Sequence, residues 1–218
     1  MSGSRRSPKR GPWAPTNPEA RYSSIVALVV VDLQNDFADP AGSLSVKGGV
    51  EIVPLVNVEI ERAIAAGAAV LYTQDWHPAS TPHFAKDGGT WPVHCVQGTW
   101  GAELHPGLAV RGPVVRKGSN GEDGYSGFTM RDADGFPEPT ALDQTIARGG
   151  ATRLVICGLA TDYCVKATAL DGILLGYETA VLLDAIRPVD LQPRDGLAAI
   201  EEMAGAGITL VGERSVTS

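Results

Sequence analysis

Two groups of residues in this chain have the types and spacing to do chemistry. The first is Asp75, His77, His83 and His94. Three of the four histidines fall within eighteen positions, and an Asp lies two residues before the first of them. Imidazole nitrogen is the commonest metal-ligand group and carboxylate adds a hard oxygen, so the set reads as a site for one divalent transition metal. In extended chain, side chains at i and i+2 point the same way, which lets Asp75 and His77 share an ion while Trp76 turns elsewhere. His83 returns after the stretch bracketed by Pro78 and Pro82, and His94 after an excursion through Gly88 and Gly89. Mixed nitrogen and oxygen ligands suit Zn²⁺, Fe²⁺ or Mn²⁺, and ligand softness does not choose among them. Unrelated loop histidines are the competing reading. It suits the isolated His105 better than this cluster.

The second group centres on Cys164. Ile156-Cys157-Gly158-Leu159-Ala160-Thr161-Asp162-Tyr163-Cys164-Val165 reads as a strand, a small-residue turn and a helix start. Thr161 or Asp162 is a suitable N-cap, which places Cys164 in the first helical turn. There the backbone N–H groups and the helix dipole stabilise a thiolate and can also bind a developing oxyanion. Against this stands the ordinary role of a free cysteine as a small buried hydrophobe. Cys157, in mid-strand, reads that way, and so does Cys95, which faces away from its neighbour His94. An attack by sulfur on an amide needs a proton carrier and a nearby cation. Asp32 and Lys117 are the residues that could supply them, although an Asp after a strand is often a cap and a lone Lys is usually a solvated charge.

What brings these residues together is the order of elements. Strand-like runs at Ile25–Val31, Ala68–Thr73, Pro113–Arg116, Arg153–Cys157, Thr179–Leu183 and Ile208–Val211 alternate with amphipathic runs at Val53–Ala66, Asp162–Leu175 and Pro193–Ala204. Alternation with near-continuous apolar strands implies an α/β fold, a mainly parallel six-stranded sheet covered by helices on both faces. In such sheets ligands bind beyond the carboxyl ends of the strands. Asp32, Asp75, His77, Lys117 and Thr161–Cys164 all follow strand ends, so one rim collects them. The Gly-, Pro- and Trp-rich stretch from Asp75 to Arg116 reads as a long functional loop.

The chain has 218 residues, 44% hydrophobic and 20% charged, as expected of one globular domain. Its longest apolar candidate, Ile25–Val31, is far short of the ~18 residues a membrane span needs. The net charge is −7, yet residues 1–24 carry five basic residues against Glu19, so the remainder carries −11. An acidic body argues against a nucleic-acid surface, and the basic leader lacks the apolar middle of a signal peptide. Residues 1–24 are expected to be a disordered leader, or a start assigned too early, and 25–218 the folded domain. Three cysteines without close pairing suit a reduced, cytoplasmic setting.

These segments resemble the isochorismatase-like cysteine hydrolases. The resemblance is carried by Val31-Asp32-Leu33-Gln34-Asn35-Asp36-Phe37, Gln74-Asp75-Trp76-His77-Pro78, Trp91-Pro92-Val93-His94-Cys95-Val96-Gln97, Arg116-Lys117-Gly118, Tyr125-Ser126-Gly127-Phe128 and Gly158–Val165. It spans Ile25 to Val211, and the metal segment narrows it to the branch that hydrolyses nicotinamide. The resemblance implies a three-layer α/β/α sandwich, a triad at Asp32, Lys117 and Cys164, and metal ligands at Asp75, His77, His83 and His94. It further implies a cis peptide and oxyanion hole at Leu159 and Ala160, with the Ala160 and Cys164 N–H groups as donors, and an aromatic pocket at Phe37, Trp91 and Tyr125. The implied reaction yields nicotinate and ammonia within NAD salvage, often with activity on pyrazinamide, from a monomer or homo-oligomer. The basic leader and the loop Asp132–Pro139 depart from the pattern outside its motifs. Two alternatives are a metal-independent hydrolase of ureido or N-carbamoyl acids, against which the histidines weigh, and a non-catalytic metal-binding scaffold, against which the intact triad weighs.

Overall fold

The computed structural model describes residues 13–212. Its elements in chain order are β1 Val26–Val31, α1 Asn35–Ala38, α2 Ile52–Ala65, β2 Ala69–Asp75, β3 Val114–Lys117, β4 Thr129–Arg131, β5 Pro137–Pro139, α3 Leu142–Arg148, β6 Arg153–Leu159, α4 Lys166–Leu174, β7 Glu178–Arg187, α5 Asp195–Gly205 and β8 Thr209–Val211. Six strands form one sheet in the order β3-β2-β1-β6-β7-β8, with every pairing parallel. β1 is buried along its whole length, and alternate residues feed two separate cores. Val26, Leu28 and Val30 pack with Ile52, Val56 and Ile60 of α2. Ala27, Val29 and Val31 pack with Leu142 and Ile146 of α3, Ala169 of α4 and Met203 of α5. Those two cores make the three layers of an α/β/α sandwich.

Strand order fixes where a site can form. From β1 the chain steps outward through β2 to β3, then returns to place β6 on the other side of β1. The connections therefore diverge beyond the carboxyl ends of β1 and β6, the switch point at which open α/β sheets bind ligands. The close approach needs a residue without a side chain at the end of β6. Gly158 has φ +115°, and a Cβ there would run into the backbone of Val31.

Several boundaries differ from the sequence reading, and the register explains them. β2 continues to Asp75 because β3 supplies ladder partners that far, pairing Gln74 with Arg116 and Asp75 with Lys117. Asp75 and Lys117 are thus the last residues of their strands and do not follow them. Helix α3 and the β4–β5 hairpin were not anticipated. The hairpin occupies the stretch read as a long loop at 132–139, and its exposed prolines carry no apolar alternation.

The expected leader also needs correction. Residues 1–12 lie outside the described residues, but from Trp13 onward the segment is packed on the domain. Arg21 is 6% exposed and Tyr22 likewise; Arg21 pairs with Glu59 of α2 at 2.5 Å, and the Tyr22 hydroxyl donates to the same carboxylate at 2.8 Å. Trp13 donates its indole N–H to the Arg21 carbonyl at 3.0 Å. Charge count alone marked this stretch as disordered, whereas the buried ion pair makes its Arg an anchor. Burial pushes the Glu59 carboxyl up, but Arg21 and Tyr22 outweigh it and hold it below its ordinary 4.5. Its stabilising contribution is therefore present above pH 4.5 and lost as pH falls below it. Arg21→Ala is expected to destabilise the fold by about 3 kcal/mol, since Arg62 remains as a second partner of Glu59 at 2.6 Å. Thermal melting at neutral pH checks this; an unchanged midpoint would show that residues 13–22 contribute nothing to the fold.

Candidate active site

β1, β2, β3 and β6 each deliver one polar side chain to the same rim. Asp32, just past β1, is fully buried and holds φ +45°, a left-handed conformation that Asp tolerates. The Thr73 hydroxyl donates to Asp32 Oδ1 at 2.6 Å, and the Asp32 backbone N–H donates to Thr73 Oγ1 at 3.2 Å. Lys117 Nζ lies 2.9 Å from Asp32 Oδ2 and 3.6 Å from Cys164 Sγ, and also pairs with Asp75. One buried cation thus holds two carboxylates and a thiol. Burial pulls the Lys117 ammonium toward neutrality, but Asp32 and Asp75 outweigh it and keep it charged.

The two carboxylates respond differently to the shared lysine. Burial pushes Asp75 up, yet Lys117, with His77 and His94, overrides this and sets it at about 2. For Asp32 burial wins over Lys117, and its carboxyl rises above the ordinary 3.8. Environments that push two neighbouring acids apart assign them different jobs: Asp75 holds a fixed charge, and Asp32 is the one suited to take up and give back a proton.

Cys164 sits where the sequence reading put it, but its surroundings differ. The turn Thr161–Val165 is a single π-helical turn, a form that recurs at functional sites, and no side chain caps it. Asp162 instead accepts the N–H groups of Val189 and Asp190 at 2.9 Å each, tying this turn to the loop after β7. A resident thiolate was expected. Burial pushes the Cys164 thiol well up, Lys117 pulls against it, and Asp32 and Asp75 reinforce burial, so the proton stays on sulfur. The peptide bond Leu159–Ala160 is cis.

Ligating atoms of His77, His83 and His94 all lie within 4.8 Å of one another, and those of Asp32, Asp75 and Cys164 form a second such group. Asp75 links the groups, with its Oδ2 3.9 Å from His77 Nε2. His94 Nδ1 lies 2.7 Å from the Pro92 carbonyl, which can only accept, so the free lone pair is on Nε2. His83 Nδ1 is 2.6 Å from Asp123 Oδ1, which likewise leaves Nε2. Both ring nitrogens of His77 are buried without a partner. Its Nδ1 edge abuts Gly118, where a Cβ would approach to 2.7 Å. Burial lowers the His77 pKa to about 4 and lowers that of His94, so these rings are neutral at pH 7, the state a metal requires. Three converging imidazole nitrogens, one of them otherwise orphaned, with an adjacent carboxylate fit a divalent metal. His105 stands apart, taking the Gly107 N–H on its own Nδ1 at 3.1 Å.

Cys164, His83 and His94 open onto one cavity, lined also by Phe37, Trp91, Tyr125 and Ala160. Trp91 Nε1 donates to the Tyr125 hydroxyl at 3.0 Å. Leu159 does not line it; its side chain is fully buried in the core, so only its backbone can serve the site. Cys95 and Cys157 are buried in the same core, in keeping with their reading as packing residues.

Sequence reasoning missed Thr73, Asp123 and the pocket residues Leu44, Val46, Tyr163 and Val189. Tyr163 packs edge-on against Trp91 at 4.8 Å and Tyr125 at 5.2 Å. Its place beside Cys164 was the available signal. Leu44, Val46 and Val189 come from loops with no motif.

Residues 26–213 match the isochorismatase domain family. The nicotinamidase of Escherichia coli is 41% identical over 202 residues, covering 84% of this chain and 93% of that protein. The nicotinamidase/pyrazinamidase of Mycobacterium tuberculosis is 36% identical over 190 residues, covering 85% of this chain and 97% of its own. Among solved structures, the pyrazinamidase of Pyrococcus horikoshii in complex with zinc superposes with a TM-score of 0.78 at 40% identity, covering 87% of this chain and 99% of the other. With the family model matching most of its length and relatives at this identity, the chain belongs to the isochorismatase family.

Proposed function

We propose that this protein is a metal-dependent cysteine amidohydrolase that converts nicotinamide to nicotinate and ammonia, and that pyrazinamide is also a substrate. The observation that carries the reading is the cluster of Lys117, Asp32 and Cys164 beside three converging histidines, with Cys164, His83 and His94 lining one aromatic cavity. The named relatives act on these amides, and hydrolysis of nicotinamide would serve NAD salvage in the cytoplasm. Among the described residues no helix is long and apolar enough to cross a membrane.

Asp75, His77, His83 and His94 would hold the metal, Zn²⁺, Fe²⁺ or Mn²⁺, and when bound it supplies a Lewis-acid partner for the pyridine nitrogen. Phe37 and Trp91 hold the ring and set its carboxamide over Cys164. As Sγ attacks the carbonyl carbon, the thiol proton passes to Asp32, and the backbone N–H groups of Ala160 and Cys164 receive the developing oxyanion. The C–N bond then breaks while Asp32 returns that proton to the leaving nitrogen, releasing ammonia and a thioester. Water attacks the thioester, giving a proton to Asp32; the C–S bond breaks, sulfur is reprotonated and nicotinate departs. Lys117 stays charged throughout and offsets the negative charge that moves among Asp32, sulfur and substrate.

The test is ammonia release from nicotinamide by the protein as isolated, after chelation, and after adding back Zn²⁺, Fe²⁺ or Mn²⁺ singly. Release that falls on chelation and returns with one metal is expected. No release in any metal state sinks the reading, and metal-independent release from a ureido acid would put the carbamoyl hydrolase in its place.

A further inference from the structure

Of the three histidines, His83 is the one whose orientation depends on a side chain from another part of the chain. His94 is oriented by the carbonyl of Pro92, two residues away, and His77 by the packing of Gly118 against its Nδ1 edge. His83 comes from the loop after β2, and its Nδ1 meets Asp123 Oδ1 at 2.6 Å from the loop after β3. Asp123 is itself held at both backbone groups: its N–H donates to the Arg131 carbonyl at 2.8 Å and its carbonyl accepts the Arg131 N–H at 2.6 Å. The same carboxylate oxygen accepts the Gly124 N–H at 2.8 Å, which fixes its direction. Two residues on, Tyr125 of this loop faces the His83 ring at 6.2 Å and receives the Trp91 hydrogen bond.

We propose that Asp123 is a positioning residue: it holds His83 with the proton on Nδ1 and the Nε2 lone pair toward His77 and His94, and so sets the affinity of the metal site. This deepens the metal-dependent reading and rests on it. A carboxylate behind a ligating imidazole fixes ring orientation and makes the nitrogen a better donor, and removing such a partner typically costs 10–100-fold in metal affinity. Asp123 can be altered without disturbing the interior, because its side chain is 58% exposed.

The experiment is titration of the metal-stripped protein with Zn²⁺ against a competing chelator, and with Co²⁺ followed by its visible spectrum. Wild type, Asp123→Ala and Asp123→Asn are compared, with melting temperatures confirming that each is folded. Asp123→Ala is expected to weaken Zn²⁺ binding by about 10–100-fold and to change the Co²⁺ spectrum. Asp123→Asn, whose amide oxygen can still accept from Nδ1, should recover most of the affinity. An Asp123→Ala protein that binds Zn²⁺ as tightly as wild type overturns the proposal, as does Asp123→Asn binding as weakly as Asp123→Ala. Failure of the wild type itself to bind either metal would overturn the metal site, and this inference with it.

Discussion

Replacing Cys164 by Ala should lower turnover of nicotinamide by at least about 1,000-fold while leaving a folded protein that still binds the substrate. The chemistry loses the one thiol that lines the cavity, since Cys95 and Cys157 are sealed in the core. The structural loss is small: one sulfur atom at the cavity wall, in a site that is 7% exposed. Binding is expected to survive because the aromatic residues and the histidines are untouched. The paired measurement matters, since loss of both binding and turnover would describe a collapsed pocket and not a missing nucleophile. Retention of more than about a thousandth of wild-type turnover would falsify covalent catalysis by this residue. A second expectation follows from the protonated thiol. The free enzyme should react with alkylating reagents more slowly than a thiolate would, because burial, Asp32 and Asp75 together outweigh Lys117 and favour the protonated sulfur.

The same cysteine shows how far a sequence can be read. Its place after a strand, in a turn of small residues, followed from local pattern and parallel-sheet geometry, and so did the shared rim with Asp32 and Lys117. The charge state did not follow. Helix-start arguments favour a thiolate, but two buried carboxylates around one lysine leave the site with excess negative charge, and only the packed structure shows that Asp75 is one of them. Asp75 illustrates the limit from the other side. Its spacing to His77 marked it as a metal ligand, whereas its pairing with Lys117 depends on the β2–β3 register, which no single strand encodes. Arg21 was misread for a similar reason. In a basic leader it counts as one more solvated charge until Glu59, thirty-eight residues away, supplies a buried partner. Long-range pairs of this kind leave no periodic trace in either segment, and Asp123 behind His83 is a further case.

Lys117→Met tests that charge arrangement as a whole. Met approximates the length of the lysine stem but removes the cation between Asp32 and Asp75, leaving two carboxylates in a buried site. Burial already raises the Asp32 carboxyl above 3.8 against the pull of Lys117, so without that pull it rises further and is less able to accept the thiol proton at pH 7. Turnover should fall by about 100- to 10,000-fold, the range expected for loss of general acid–base assistance, and its acidic limb should move to higher pH. Stability should fall as well, by about 3–5 kcal/mol, the usual effect of removing one partner from a buried ion pair. The pH dependence separates this from a simple packing defect. In the wild type Asp75 is held at about 2, so its contribution is present above its ordinary 3.8 and lost as pH falls toward 2. The variant should lose that acid-side dependence, because Asp75 no longer binds its proton less readily in the folded state than in the unfolded one. Lys117 contributes no slope of its own near neutrality, since its raised pKa places its loss above 10.5. A Lys117→Met protein with turnover within about tenfold of wild type and an unshifted acidic limb would mean that Asp32 does not depend on this cation, and the triad would have to be redrawn without Lys117.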